Sequence, residues 1–344
     1  MQDFKDMTDI SEKTVIHFVK ELDDDIKLIL TNEDSSSVLM NFNIDSNGFI
    51  KNSESTETTD PGSNSGISGG DSPLIENVTI SVGAGSVYTT LKQVFIKLSD
   101  PSFYWRNVTI DLISDLNETE ILYITGVGKG VTINFNGFKV NVINGITIDK
   151  VSSVVFNDVN IKGVSASDFY YFILEVKDSV VTINNMNIEA NQSNYWYAFK
   201  AFTSTVYFNG VINITNIDSG IGIWYSKLHN FSEITVENTK NNAVAIVNSV
   251  WMPTWTYDDN YIPTPVIIRS TDTGVYAGTN STVSIDGLVI DSAKRPIRIE
   301  DRSYIELIEF GGDTNTIGDY SLISKTSSYY TKTGVNFSKP LSQT

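Results

Sequence analysis

The chain has 344 residues, 40% of them hydrophobic, a formal net charge of −17 and no cysteine. This acidity excludes nucleic acid as the expected partner, because phosphate binding needs clustered Lys and Arg. The missing cysteines remove disulfides and thiolate metal sites and fit assembly in a reducing cytoplasm.

The opening MQDFKDMTDISEK lacks the apolar stretch of a secretory signal. No apolar run approaches the roughly 18 residues that span a bilayer, so membrane insertion is not expected. TVIHFVKEL, DIKLILT and SSVLMNFNI read as strands of a small β-rich module over residues 1–51. Residues 52–73, rich in Gly, Ser and Thr with almost nothing to bury, predict a flexible linker. Next comes a capping segment, 74–113: a strand in ENVTISVG, a short helix with Leu91, Val94, Phe95 and Leu98 at helical spacing closed by Pro101, and a strand in WRNVTIDLI.

One phrase then recurs: a small polar residue, alternating apolar and polar positions, a break at Asn or Gly, and renewed alternation. Copies start at Val131, Val154, Val181, Val206, Phe231, Val283 and Ile305, in steps of 23, 27, 25, 25, 52 and 22 residues, the 52 being taken as two turns. A further short apolar strand precedes each copy, giving about three strands per repeat and no segment long enough for a helix. These features predict an all-β fold, a solenoid of about 25 residues per coil. In it Val, Ile and Phe pile into internal ladders, Asn ladders at the bends, and about eight turns make a rod section of roughly 40 Å. The coil is expected over 74–318. The Pro- and Trp-rich 249–265 form an inserted loop, and 319–344, lacking periodicity, form a C-terminal tail.

VGAGSVYTTLKQVFIKL, Val82 to Leu98, is similar to the glycine-bearing strand and helix that cap the first coil of phage spikes, and Ser281 to Ile290 resembles their coil phrase. On these residues the chain resembles the right-handed, single-stranded parallel β-helices of the pectin-lyase-like superfamily, specifically fibres and spikes of tailed bacteriophages. The likeness covers about 230 residues. It implies a homotrimer attached through residues 1–51 to a virion tail, baseplate or capsid protein.

Enzymes on such coils cut polysaccharides with paired carboxylates or by lyase chemistry. Asp149, Glu175 and Lys200 fall at outward positions of neighbouring strands. The densest ionic stretch, Lys294 to Glu309, adds Arg295, Arg298, Glu300, Asp301, Arg302 and Glu306; its simpler explanation is a salt-bridged end cap. Asp149, Glu175, Glu300 and Asp301 are the carboxylates a depolymerase would draw on, although solvated charge on a polar face is the simpler explanation. His17 and His229 have no nucleophile signature around them, and neither a metal site nor a cofactor is expected. Tyr170, Tyr195, Trp196, Trp224, Trp251, Trp255 and Tyr257 recur near successive turns and in the loop, where flat rings would serve as platforms for sugars. The expected function is structural and adhesive: a virion fibre or spike whose shaft meets host surface polysaccharide. A depolymerase on the same fold is the alternative.

Overall fold

A computed structural model describes strands between Thr14 and Ser53 and most of Asn77–Gln343. Residues 1–13, 21–25, 33–37, 45–49, 54–76, 101–102, 104–105, 126–129, 165–170, 191–194, 254–264, 309–319, 321, 326–327, 334–338 and 344 lie outside the described residues. The chain divides into two units, Met1–Ile75 and Glu76–Thr344.

In the first unit β1 (Thr14–Lys20), β2 (Ile26–Asn32), β3 (Val38–Ile44) and β4 (Ile50–Ser53) form an antiparallel sheet in chain order. Its fourth strand runs past the expected boundary at 51: Asn52 and Ser53 pair with Asn43 and Phe42. The rest of the expected linker, 54–73, lies outside the described residues.

The second unit is a right-handed parallel β-helix with one helix. It opens with β5 (Asn77–Val82), α1 (Leu91–Leu98), β6 (Asn107–Leu112), β7 (Leu116–Glu118), β8 (Leu122–Thr125), β9 (Gly130–Asn134), β10 (Val140–Val142) and β11 (Ile146–Asp149). The longer rungs β12 (Val154–Gly163), β13 (Tyr171–Lys177), β14 (Val180–Ala190), β15 (Tyr195–Phe202), β16 (Thr205–Ile217), β17 (Ile221–Trp224), β18 (Lys227–Thr239) and β19 (Asn242–Val247) follow. After them come β20 (Val250–Pro253), β21 (Val266–Gly278), β22 (Thr282–Asp286), β23 (Leu288–Ile299), β24 (Tyr304–Ile308), β25 (Leu322–Ser324), β26 (Tyr329–Thr333) and β27 (Leu341–Gln343). Three faces result. The first carries the start of each phrase, the second its continuation, and the third the intervening strand.

Alternation sets which residues turn inward, and parallel pairing stacks them. On the first face Val131, Val154, Val181, Val206, Leu228, Trp251, Val283 and Ile305 form one buried column. On the third, Leu122, Ile146, Leu174, Phe199, Ile221, Val244, Val275 and Ile297 form another. Burial of each such side chain contributes roughly 1.5–3 kcal/mol relative to exposure. Large members are matched by small ones nearby: Phe199 meets Phe208 edge-on at 5.2 Å in a rung that also places Ala201 inward, and the turn holding Trp251 has Ala277.

The ladder corrects the sequence reading at three places. Phe231 is not a phrase start; it pairs with Asn209 on the outside, 37% exposed, and the inward residue of that rung is Leu228. The 52-residue step does span two turns, as expected, but its middle rung lies in the segment read as a loop, because Val250 and Trp251 pair with Lys227 and Leu228 before and with Thr282 and Val283 after. Ser249 to Pro253 therefore belong to the coil, and of the expected loop 254–264 lies outside the described residues. The C-terminal segment is not a separate tail, since β25, β26 and β27 continue the third and first faces in register.

Corners are made by residues in the left-handed region, among them Asp158, Asn185 and Gly210 between the first two faces, and Lys150, Asp178, Thr203, Tyr225 and Asn248 between third and first. Asn and Asp tolerate this conformation better than other side-chain-bearing residues. An Asn ladder runs beside the first set: Asn209 Nδ2 donates to Asn184, Asn184 to Asn157, Asn157 to Asn134 and Asn134 to Asp111, at 2.6–2.9 Å. It stops where Phe231 takes the next position.

At the other corner, from Ser179 to Ser303, the small polar residue of the phrase is a buried serine. The amide of Ser179 donates to Ser204 Oγ, Ser204 to Ser226, Ser226 to Ser249, Ser249 to Ser281, Ser281 to Ser303 and Ser303 to Ser328. Several of these hydroxyls also donate to the carbonyl two residues back, as Ser226 does to Trp224 at 2.6 Å. One side chain thus satisfies a backbone group in its own rung and one in the rung before, where no water reaches.

The capping helix is fixed by a buried carboxylate. Glu118, 3% exposed, accepts from the Leu91 amide at 2.6 Å, while Thr90 and Gln93 form a reciprocal cap. Burial raises the Glu118 pKa above its ordinary value, and the Leu91 and Lys92 amides draw it part of the way back.

Two predictions follow from these devices. Ser226→Ala leaves the Ser204 amide buried without an acceptor and should lower the unfolding free energy by about 1–3 kcal/mol in urea titrations. For Glu118, the folded carboxyl holds its proton to higher pH than the unfolded chain does, so its contribution to stability falls as pH rises from about 4.5 through the raised value. The stability of the native protein minus that of Glu118→Gln should therefore decrease between pH 4 and pH 7. A constant difference would refute the linkage.

Candidate functional site

On the third face, side chains two residues apart point outward in neighbouring columns. One column reads Tyr123, Thr147, Glu175, Lys200, Gly222, Ala245, Tyr276 and Arg298; the next reads Thr125, Asp149, Lys177, Phe202, Trp224, Val247, Gly278. Glu300 follows two residues after Arg298. This face gathers most of the described candidates from the sequence.

Lys200 is its centre. Its ammonium lies 3.3 Å from Glu175 Oε1, 3.9 Å from the centroid of the Phe172 ring and 5.2 Å from that of Trp224. Burial lowers the Lys200 pKa, opposed by the attraction of Glu175. Glu175 is 5% exposed and is also held by Lys177 at 2.8 Å. Its Oε1 makes only the ion pair with Lys200, without hydrogen-bond geometry. A desolvated cation between two ring faces is attracted by both, which fixes the aromatic planes around it.

The rings continue from there. Phe172 and Trp196 stack with centroids 6.1 Å apart, Trp196 meets Tyr197 at 5.8 Å, and Tyr197 meets Trp224 edge-on at 4.9 Å. Trp196 is 44% exposed, Trp224 half-buried and Tyr197 buried. Two glycines form the floor. A Cβ at Gly222 would overlap the Trp224 indole, and one at Gly278 would overlap the Tyr276 ring. Each of these rings lies down along the sheet, with Lys200 over the Trp224 ring and Arg298 over the Tyr276 ring at 5.6 Å. Beyond Tyr276, Arg298 holds Glu300 at 2.8 Å, and Lys325 in the next turn approaches the same carboxylate at 3.6 Å.

Several sequence expectations change here. Asp149 and Glu175 are not in register with each other: Asp149 stands beside Lys177 and accepts from the Tyr123 hydroxyl, whereas Glu175 stands beside Thr147 and Lys200. Glu300 is taken up by Arg298 and Lys325, and Asp301 sits at a left-handed corner. Tyr195 and Trp251 are not surface platforms, each being 1% exposed. The Tyr195 hydroxyl donates to the carbonyls of Val142 and Ile143, and Trp251 fills the core column. Tyr170, Trp255 and Tyr257 lie outside the described residues.

The stretch from Lys294 is not an end cap. Lys294 and Arg295 pair back to Asp272, and the coil continues past them. His229 stacks flat on Tyr207 at 4.9 Å on the first face. Among the described residues no three His, Asp or Glu converge as a metal site requires.

Phe172 and Tyr276 were missed by sequence reasoning. For Tyr276 the available signal was an aromatic residue two positions from a glycine in one strand, VYAG, the same pattern that GIGIW shows for Trp224; Phe172 has no such glycine beside it. At that spacing ring and glycine lie on the same side of the sheet, and the absent Cβ leaves room for the ring.

No family model, curated protein or solved structure matches the chain.

The ion pair at the centre of the strip is testable by substitution. Glu175→Gln leaves the Lys200 ammonium desolvated without its counter-charge and should cost on the order of 3 kcal/mol in urea unfolding. Adding Lys200→Met should recover part of that loss. If the two losses simply add, the groups are not coupled.

Proposed function

We propose that this chain is a fibre or spike protein of a tailed bacteriophage, carried on the particle by its N-terminal sheet and binding host surface polysaccharide along the third face of its coil. The observation that carries the adhesive part is the strip of Phe172, Trp196, Trp224 and Tyr276 around Lys200. Its rings are seated by glycines and a cation–π contact, so they are rigid before a ligand arrives, and little ordering entropy remains to oppose binding. Flat apolar faces edged by charged and polar groups suit sugar rings, which present both CH-rich faces and hydroxyl edges.

The virion part is supported by the architecture. A separate antiparallel sheet precedes a parallel coil, as the resemblance to phage spikes implies, and the coil is long and regular. The homotrimer expected from the same resemblance belongs to this proposal.

The test is binding of the full chain to a panel of purified bacterial surface polysaccharides, measured by biolayer interferometry. Trp196→Ala and Trp224→Ala should each weaken binding about tenfold or more, equivalent to about 1.4 kcal/mol, while leaving the far-ultraviolet circular dichroism unchanged. Equal affinity in both variants would move the site off this face. Absence of binding throughout the panel would remove the adhesive reading.

A further inference from the structure

We infer that the corner at Asn136–Gly137 is a site of covalent self-modification: Asn136 cyclises onto the backbone nitrogen of Gly137 and reopens as a mixture of aspartate and isoaspartate, while two other Asn–Gly pairs of the coil are held unreacted by the fold. The inference concerns the scaffold and is independent of the glycan reading above.

An asparagine followed by glycine lies next to a backbone nucleophile that no side chain shields. Once the Gly137 amide loses its proton to solvent, its nitrogen attacks Cγ of Asn136; the N–Cγ bond forms, the Cγ–Nδ2 bond breaks, and Nδ2 leaves as ammonia. Water then opens the cyclic imide. Opening at the side-chain carbonyl gives aspartate, and opening at the backbone carbonyl gives isoaspartate. Water is the one reactant consumed.

Chemistry alone does not choose among the pairs; the fold does. Among the described residues Asn–Gly occurs at 136–137, 144–145 and 209–210. Asn209 and Gly210 lie inside β16, in register with Phe231 and Ser232 of the next rung, and the Asn209 side chain is a member of the Asn ladder. A Cβ on Gly210 would overlap the Asn185 side chain. At 144–145 the glycine is buried, its carbonyl accepts from the Leu122 amide at 3.1 Å, and a Cβ there would overlap the Phe172 carbonyl. Cyclisation at either place must swing the backbone against a paired neighbour, an opening as costly as that of the surrounding strands.

Asn136–Gly137 differs in each respect. Between Asn134 and Val140 the chain uses five residues, 135–139, where the next turn uses three, 158–160, between their partners Asn157 and Ile161. The longer connection makes a turn closed by the Phe138 amide on the Phe135 carbonyl at 2.9 Å, with Asn136 and Gly137 both exposed and both in the left-handed region, at φ 54° and 81°. Nothing lies within 4 Å of where a Gly137 Cβ would stand, and among the described residues the Gly137 amide donates to no backbone carbonyl. The asparagine is restrained by a bond from Nδ2 to the Leu112 carbonyl, 3.0 Å away in the turn before. That donor departs with the ammonia, so the product corner is untied from the preceding turn.

The test is a peptide map of the full chain aged in mildly alkaline buffer and sampled over time, once native and once in guanidinium chloride. Trypsin places the three pairs in separate peptides, 130–139, 140–150 and 201–227. In the native protein 130–139 should gain the mass of an amide-to-acid exchange and split into two isomers, about tenfold or more faster than the other two convert; in denaturant all three should convert at similar rates. Gly137→Asp, a residue that tolerates the left-handed region, should slow the native reaction about tenfold because its side chain covers the nitrogen. Native conversion of 140–150 or 201–227 as fast as that of 130–139 overturns selection by the fold. A native 130–139 that stays unchanged while it converts in denaturant overturns the site. An undiminished rate in Gly137→Asp with native circular dichroism overturns the cyclisation.

Discussion

Parallel pairing of each rung with the rung one turn earlier is the constraint on which everything else in the coil depends. Because the backbone of every turn must present its amides and carbonyls at the positions set by its predecessor, each turn inherits the same inward columns and the same corners. The chain has freedom in how many residues it inserts between rungs, and none in the phase of the rungs themselves. The 32 residues from Trp251 to Val283 and the 22 from Val283 to Ile305 both deliver a side chain to one column. Segments that lengthen a turn must leave and re-enter at a corner.

The serine corner shows how this constraint is met where alternation alone is insufficient. At a bend the backbone loses its in-plane partners, and a residue with a short hydroxyl side chain restores two of them at once. Leu, Ile or Val at the same place would fill space but leave the amide of the previous turn unpaired in the interior. This explains why the phrase begins with the same residue type in turns whose apolar members differ freely in size, from Val206 to Trp251. The cost of the left-handed residue just before each serine, carried by Asp178, Thr203, Tyr225 and Asn248 among others, is offset by this bond and by the packing on either side.

The architecture was legible in the sequence because it is periodic: Val131, Val154, Val181 and Val206 stand at phrase starts in the string and in one column of the fold. Legibility failed where a chemically plausible neighbour hid the true register. Phe231 looks like an inward residue, but Leu228 three positions earlier has the correct distance from its corner serine, Ser226. Trp251 sits between prolines and aromatics that resemble a loop, although Ser249 before it announces a rung. The site was half legible. Glu175, Lys200, Trp196 and Trp224 could be placed on one side of neighbouring strands, but alternation cannot tell which of two outward groups lies under the other. Glu175 proves covered and Lys177 open. Tyr195 illustrates the same limit, since only three-dimensional packing reveals that a phenol near a turn reaches back to the carbonyls of Val142 and Ile143.

The glycines under the rings have a consequence for how such a surface diversifies. Trp224 and Tyr276 owe their tilt to the residues beneath them, Gly222 and Gly278. Replacing either by alanine would prop the ring upright and convert a shelf into a fin while the hydrogen-bonded scaffold beneath kept its phase. Relief on this face is therefore encoded one layer below the surface, and a lineage could reshape it through floor residues without altering a single exposed side chain.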